Sequence, residues 1–249
     1  MDSDILYYVC AAIAVIMTGL AKGGFAGVGA VSMPLLSLRG DPLAAAAILL
    51  PILIVQDAIS VFSYWRNINK RIVFIMLPSM ALGVYLGFLF AGSLPRNYIM
   101  AMVGVIALSF GAHSLWKKRK RKPQIAHKGH TGLGLISGVV TGFTSQIAHA
   151  GGPPFHVWVL PQKLHRDVLV GTKAICFGFL NWIKVPAFFA LGQMTTQNLK
   201  TSAILLPLAI AATFFGVYLV KRVETERFYT IIYILMCLLG MKLIYEGFF

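Results

Sequence analysis

The sequence predicts an all-α integral membrane protein: a polytopic helical bundle of two inverted repeats, each carrying one broken, short-segment element. Three observations carry this prediction: long apolar runs, basic residues gathered between them, and Gly and Pro positions that recur across the midpoint of the chain. The 249 residues are 58% hydrophobic and 12% charged, with a mean hydropathy of +0.78. A soluble domain carries about 25% charged residues because its surface meets water. Half that share leaves most of this surface facing something apolar. Runs at 5–20, 43–61, 72–94, 98–116, 169–191 and 202–220 each approach the ~20 residues that cross ~30 Å of hydrocarbon. They are too many, and lie too far along the chain, to be signal peptides. No stretch is long enough for a soluble domain, so residues 1–249 read as one transmembrane domain.

The net charge of +14 would suggest a nucleic-acid partner in a soluble protein. Here 15 of the 22 Lys and Arg fall in four short segments between apolar runs: 66–71 (RNINKR), 117–130, 163–166 (KLHR) and 221–227 (KRVETER). Basic loops of this kind face the cytoplasm and set topology, so no nucleic acid is expected as a partner. Cys10, Cys176 and Cys237 lie scattered in apolar surroundings without CxxC or metal spacing, and read as small buried residues. Neither a metal nor a cofactor is implied.

The basic linker 117–130 divides the chain into halves 5–116 and 131–249 that match at a nearly constant offset. Leu77-Pro78 matches Leu206-Pro207, Gly87 matches Gly216 and Gly111 matches Gly240, each at 129, while Gly23-Gly24 matches Gly151-Gly152 at 128. An ordinary eight-helix path would put both basic loops of the second half outside. Dividing the first element of each half at its glycines, into 5–20 with 25–38 and 132–148 with 153–160, gives five segments per half. All four basic loops then fall on the cytoplasmic side, and the acidic N-terminus (Asp2, Asp4) falls outside. An odd number of crossings per half makes the repeats inverted. This ten-segment path is the expectation; the alternative keeps eight spanning helices with the short segments re-entrant. The composition fits a multi-pass protein of a cell inner membrane, with the bilayer as partner and self-association into a homo-oligomer left open.

Gly/Pro-interrupted short segments at matching places in two inverted halves are the sequence pointer to a transporter's binding site. A helix broken inside the membrane frees backbone N–H and C=O groups, which is tolerated only in protein or around a polar cavity. A segment that restarts there presents N–H groups and a positive dipole end, a ready anion site. The first break carries Lys22, Gly23, Gly24, Gly27 and Gly29 before Pro34; the second carries Thr144, Ser145, Gln146, His149, Gly151 and Gly152 before Pro153-Pro154. Brought together, these breaks would hold a small oxyanion between them. The alternative is that the glycines only let helices pack closely.

Ionisable residues within the apolar runs are read one by one, because each is expensive in a bilayer unless paired or solvated. Lys22 offers positive charge to an anion, or snorkels from its segment end. His149 donates to the anion or carries a proton. Asp57, flanked by Gln56 and Ser60, is the one carboxylate deep in a run. It either pairs with Lys22 or Lys184, or binds a coupling proton. Lys184 lies 127 residues on, with Asn181 nearby. Lys173 and Lys242 sit nearer segment ends and read as snorkelling; His156 is a weaker candidate. Tyr7, Tyr8, Tyr64, Trp65, Trp116 and Phe248 mark segment ends, where amphipathic rings anchor at headgroups. Membrane-bound enzymes are disfavoured: the chain has only eight Asp and Glu and no HExxH, GxSxG or CxxC. No Walker A loop is present, which argues against intrinsic ATP drive. A secondary carrier for a small anion leads, ahead of an anion channel or facilitator.

The glycine-rich opening that ends in Pro34-Leu35, the Gly151-Gly152-Pro153 turn, the Leu-Pro segments followed by glycine and the basic mid-chain linker together resemble the TauE/SafE sulfite exporter family over nearly the whole chain. The resemblance implies transport of sulfur-containing anions such as sulfite, sulfoacetate or other organosulfonates, commonly outward across a bacterial inner membrane. Its motifs are Gly/Pro patterns, so they specify fold better than substrate.

Overall fold

The computed structural model describes residues 2–25, 29, 32–37, 42–90, 96–119, 128–148, 150–190, 192 and 194–248. His149 and Gly27 lie outside the described residues. The helices are α1 (Asp2–Gly23), α2 (Ser32–Ser37), α3 (Pro42–Tyr64), α4 (Lys70–Phe90), α5 (Arg96–Arg119), α6 (Thr131–Ala148), α7 (Gly152–Val159), α8 (Arg166–Ala190), α9 (Thr196–Arg222) and α10 (Thr225–Phe248). No strand occurs among the described residues. Seven of these helices, α1, α3, α4, α5, α8, α9 and α10, are long and apolar enough to cross a membrane. Their outer faces carry large exposed apolar side chains such as Phe62, Phe74, Trp182 and Phe214, as lipid contact requires.

Local chemistry sets the ends of the elements. α1 stops at Gly24, whose φ of +141° suits a residue without Cβ. Thr195 caps α9 by accepting the Asn198 N–H on its hydroxyl at 3.2 Å, which satisfies one of the orphan donors of a helix start. Pro78 and Pro207 lie inside α4 and α9, where each removes one intrahelical hydrogen bond.

The short segments decide how the path turns at the glycines. With a rise of 1.5 Å per residue, the eight residues of α7 reach only about 12 Å, well short of the bilayer. α7 instead folds back along α6: Gly151 packs on Thr141 and Ser145, Ser137 Oγ donates to the Pro154 carbonyl at 2.6 Å, and Trp158 Nε1 donates to the His130 carbonyl at 3.1 Å. α2, six residues long, turns back along α1 in the same way, with Ser32 Oγ donating to the Ala14 carbonyl at 2.8 Å. Both short helices fold back along the helix before them as the second arms of hairpins.

The sidedness drawn from the charges agrees with these hairpins, because a hairpin returns the chain to the end where it entered. Arg71 donates to the Gly129 carbonyl at 2.8 Å, Lys118 pairs with Glu226 at 3.0 Å, and Lys163 Nζ donates to the Tyr233 hydroxyl at 2.8 Å. With Trp158 on His130, these contacts gather the four basic segments at one end of the bundle. Cysteine placed at the exposed positions Lys128, His165 and Arg227 is therefore expected to react with an impermeant maleimide from one side of the membrane only. Labelling of any of the three from the other side would overturn this arrangement.

Helix pairs approach closely where glycines remove side chains, the usual device of membrane interfaces. α1 runs alongside α9 in the same direction, Gly19 against Ala212 and Gly23 against Gly216. α6 runs alongside α4 in the same direction, Gly138 against Ser79 and Gln146 against Gly87. α5 and α10 run antiparallel, with Gly104 and Gly111 of one helix interleaved with Gly240 and Gly247 of the other. α3 and α8 cross antiparallel, Gly178 facing Asp57 and Gly171 facing Tyr64. The α1–α2 and α6–α7 hairpins thus enter the bundle from opposite ends, and α3 and α8 pass between them.

Candidate functional site

α8 carries a polar stripe at helical spacing: Lys173, Phe177, Asn181 and Lys184, successive steps of four, four and three residues. Such residues lie above one another on one face. α3 presents Gln56, Asp57, Ser60 and Tyr64 toward α1 and α8 by the same periodicity. Where the two helices cross, Asp57 is 2% exposed, Asn181 4% and Lys184 2%.

The Asp57 carboxylate is held at both oxygens. Lys22 Nζ, at the end of α1, donates to Oδ1 at 2.6 Å, and Asn181 Nδ2 donates to Oδ2 at 2.7 Å. Ser60 Oγ donates to the Lys22 carbonyl at 2.9 Å, and Tyr64 OH donates to the Gly23 carbonyl at 3.3 Å. The last turn of α1 is therefore tied to α3 along its length. One turn beyond Asn181, Lys184 Nζ reaches the second hairpin, donating to the Ser145 carbonyl at 2.8 Å and the Ser145 hydroxyl at 2.7 Å. α8 thus bridges the tips of both hairpins, through Asp57 to one and directly to the other.

The balance of charge is uneven. Lys173 Nζ contacts the Ala21 carbonyl at 3.4 Å and lies 5.8 Å from the centre of the Phe177 ring, and Lys22 Nζ lies 5.9 Å from the same ring. Three lysines, Lys22, Lys173 and Lys184, therefore share this region with one carboxylate, Asp57. Ionisable residues inside membrane-spanning segments commonly line substrate or ion pathways. Among the described residues, no group of His, Cys, Asp and Glu is placed to hold a metal ion.

The family model for the sulfite exporter TauE/SafE matches residues 11–243. The chain belongs to the TauE/SafE sulfite exporter family. It is accordingly a membrane transport protein. No curated protein and no solved structure matches it.

In this transporter the residues singled out by the sequence divide into three groups. Lys22, Asp57, Asn181, Lys184 and Ser145 are brought together as described. Gln56 is fully buried beside them; its Nε2 donates to the Val15 carbonyl at 3.3 Å, while its Oε1 has no partner. Gln146 keeps an unpartnered Oε1 and lies against Gly87 on the α4 side.

The second group serves the backbone. Thr144 Oγ1 donates to the Val140 carbonyl at 2.7 Å and lies 3.3 Å from the Ala150 carbonyl, which ties the hairpin turn. Gly23 is a close-packing position on α9, and Gly24 is the left-handed stop of α1. Gly151 lets α7 approach Thr141, while a Cβ on Gly152 would meet nothing within 4 Å.

The third group changes the chemistry expected of the breaks. Pro153 and Pro154 open α7 and have no N–H to offer, and the Phe155 N–H is bonded to the Gly151 carbonyl at 3.4 Å. This helix start is poor in backbone donors, and the basic side chains at the hairpin tips are the lysines of α1 and α8. Gly23-Gly24 and Gly151-Gly152 do not face each other as a pair: the first packs on Gly216 and Val220, the second on α6.

Lys173, expected to snorkel, turns its ammonium onto the α1 tip instead. The helical spacing 173, 177, 181 and 184 was the available signal for it. Lys242 pairs with Glu246 one turn away at 2.8 Å. His156 is 3% exposed, stacks edge-on with Phe155 and has no partner at Nε2.

Proposed function

We propose that the transporter is a secondary carrier for small sulfur-containing oxyanions, sulfite and small organosulfonates such as sulfoacetate. The anion docks among Lys22, Asn181, Lys184 and Ser145, where α8 joins the two hairpin tips. The observation that carries this is the surplus of lysines: three, Lys184 buried and Lys22 and Lys173 half-buried, share the region with one carboxylate. Lys184 supports it best, because its two partners are both neutral oxygens of Ser145. Substrate would be exchanged across the membrane by alternating exposure of this region. The reading takes 5–116 and 131–249 as inverted halves joined by 117–130, with the basic end cytoplasmic, the N-terminus outside and a bacterial inner membrane as the site of action. Support comes from the parallel pairs α1–α9 and α4–α6 and from hairpins that enter from opposite ends.

The test is flux of radiolabelled sulfite into proteoliposomes containing the purified protein. Saturable uptake, accelerated by sulfite on the far side, is expected. A charge-assisted hydrogen bond contributes roughly 1.5–3 kcal/mol, so Lys184→Gln should lower kcat/KM about 10- to 100-fold. Lys242→Gln, remote from the cluster, serves as the control. Linear conductive flux would replace the carrier by a channel, and wild-type kinetics in Lys184→Gln would remove the proposed site.

A further inference from the structure

We infer that Asp57 is an internal stand-in for the transported anion, and that its displacement couples each anion to one proton. The inference rests on the anion reading above. In the structure the two oxygens of Asp57 occupy the donors an incoming oxyanion would need: the Lys22 ammonium at 2.6 Å and the Asn181 amide at 2.7 Å. A planar carboxylate held through two oxygens by an ammonium and an amide makes the contacts two oxygens of a sulfonate or sulfite would make. Anion and carboxylate therefore compete for the same pair of donors.

Displacement cannot leave Asp57 as it was. At 2% exposure a carboxylate stripped of both donors is an unpaired buried charge, and such groups neutralise rather than persist. The charged and titratable groups around it leave one way to do so. From α1 it meets Lys22, and from α8 Lys173 and Lys184, with the buried Cys176 thiol on the same helix. α9 has Lys200, Lys221 and Arg222, all near its two ends, and the described part of α2 has none. Every charged neighbour is a cation engaged with the anion or with a backbone oxygen, so the proton comes from solvent through the same opening as the anion. One proton is taken up by the Asp57 carboxylate as one anion takes its place, and it is released when the anion leaves and Asp57 returns to Lys22. Net transfer of a monoanion is then electroneutral. His156, with its unpartnered Nε2, lies on α7 and makes no hydrogen bond to Asp57.

Methanesulfonate is the probe that separates this coupling from substrate titration, because it has no group that titrates near neutral pH. In wild-type proteoliposomes a pH gradient of about one unit should support about a tenfold accumulation of labelled methanesulfonate, and a valinomycin-set potential should support none. Asp57→Asn keeps an oxygen for Lys22 but cannot take the proton. Its flux should follow the imposed potential and ignore the pH gradient. Asp57→Glu should restore the response to pH. Accumulation driven by potential alone in the wild type would overturn the inference and leave the anion site standing. Saturable sulfite flux without any methanesulfonate flux moves the same measurement to sulfite, read as pH-driven accumulation lost in Asp57→Asn, and a variant that keeps it refutes the role of Asp57. Absence of flux for both probes would overturn the anion reading and this inference together.

Discussion

Lys22→Met is expected to lower the thermal stability of the detergent-solubilised protein sharply, and the double variant Lys22→Met/Asp57→Asn is expected to recover most of the loss. Asp57 is 2% exposed and its shorter contact is with Lys22 Nζ at 2.6 Å. Removing one partner of a buried pair leaves an uncompensated charge, at a cost of roughly 3–5 kcal/mol. For a chain of this length that corresponds to a fall in Tm on the order of 10 °C. Neutralising Asp57 as well removes the orphaned charge, and the carboxamide oxygen introduced there still accepts from Asn181 Nδ2. The double variant should therefore lie within about 1–2 kcal/mol of wild type. Sulfite flux should be lost in both, since the docking ammonium is gone from each. This split between stability and transport is the useful result. A single variant as stable as wild type would show that the pair does not hold α1 to α3. A double variant no better than the single would place the loss in the packing of the Lys22 stem.

How much of this site was legible in the sequence follows from what each residue depends on. A carboxylate or ammonium inside an apolar run announces itself by its expense in a bilayer, so Asp57, Lys184 and Lys22 needed no structure to be noticed. Their partners depended on register. Asp57 had two candidate lysines, and the crossing of α3 and α8 decides between them: Gly178 faces Asp57, Asn181 follows one turn later and donates to it, and Lys184 lies a further turn beyond, within reach of Ser145. Lys173 reads as snorkelling from its distance to a segment end, whereas its side chain follows the face shared with Phe177 and Asn181.

The glycines misled for a related reason. The double glycines match at an offset of 128, yet Gly23 lies on Gly216 as Gln146 lies on Gly87. Gly87 and Gly216 are 129 apart, which makes Gln146, 123 residues on, the position that answers to Gly23. The two hairpin turns differ in length, and an offset read along the chain cannot register that. Loop charge was the sounder guide to architecture. It reports which end of the bundle a segment occupies, and that survives whether a short helix crosses or folds back.

The glycine contact next to Lys22 yields the second large effect. A Cβ on Gly23 would stand 2.6 Å from both Gly216 Cα and Val217 N, backbone atoms that no change of rotamer can move. α1 and α9 would have to separate, and with them the neighbouring contact of Gly19 on Ala212. Overpacking of this kind costs about 1–3 kcal/mol and more where the obstacle is rigid, so Gly23→Ala should sit at or above the top of that range. The opposite face of the same contact is looser: a Cβ on Gly216 would lie 3.0 Å from the Gly19 carbonyl oxygen and 3.1 Å from Leu20 Cα. A Cβ on Gly132, in the first turn of α6, would meet nothing within 4 Å, and alanine there should be neutral or slightly stabilising through helix propensity. The expected order of melting temperatures is therefore Gly132→Ala, then Gly216→Ala, then Gly23→Ala, with a fall on the order of 10 °C for the last. Equal stability of Gly23→Ala and Gly132→Ala would mean that α1 does not pack on α9 at this point. The consequence reaches the site as well, because Gly23 follows Lys22 directly. Whatever pushes α1 off α9 also shifts the ammonium that holds Asp57, so Gly23→Ala should weaken sulfite flux in the fraction that still folds, while Gly216→Ala retains more of it.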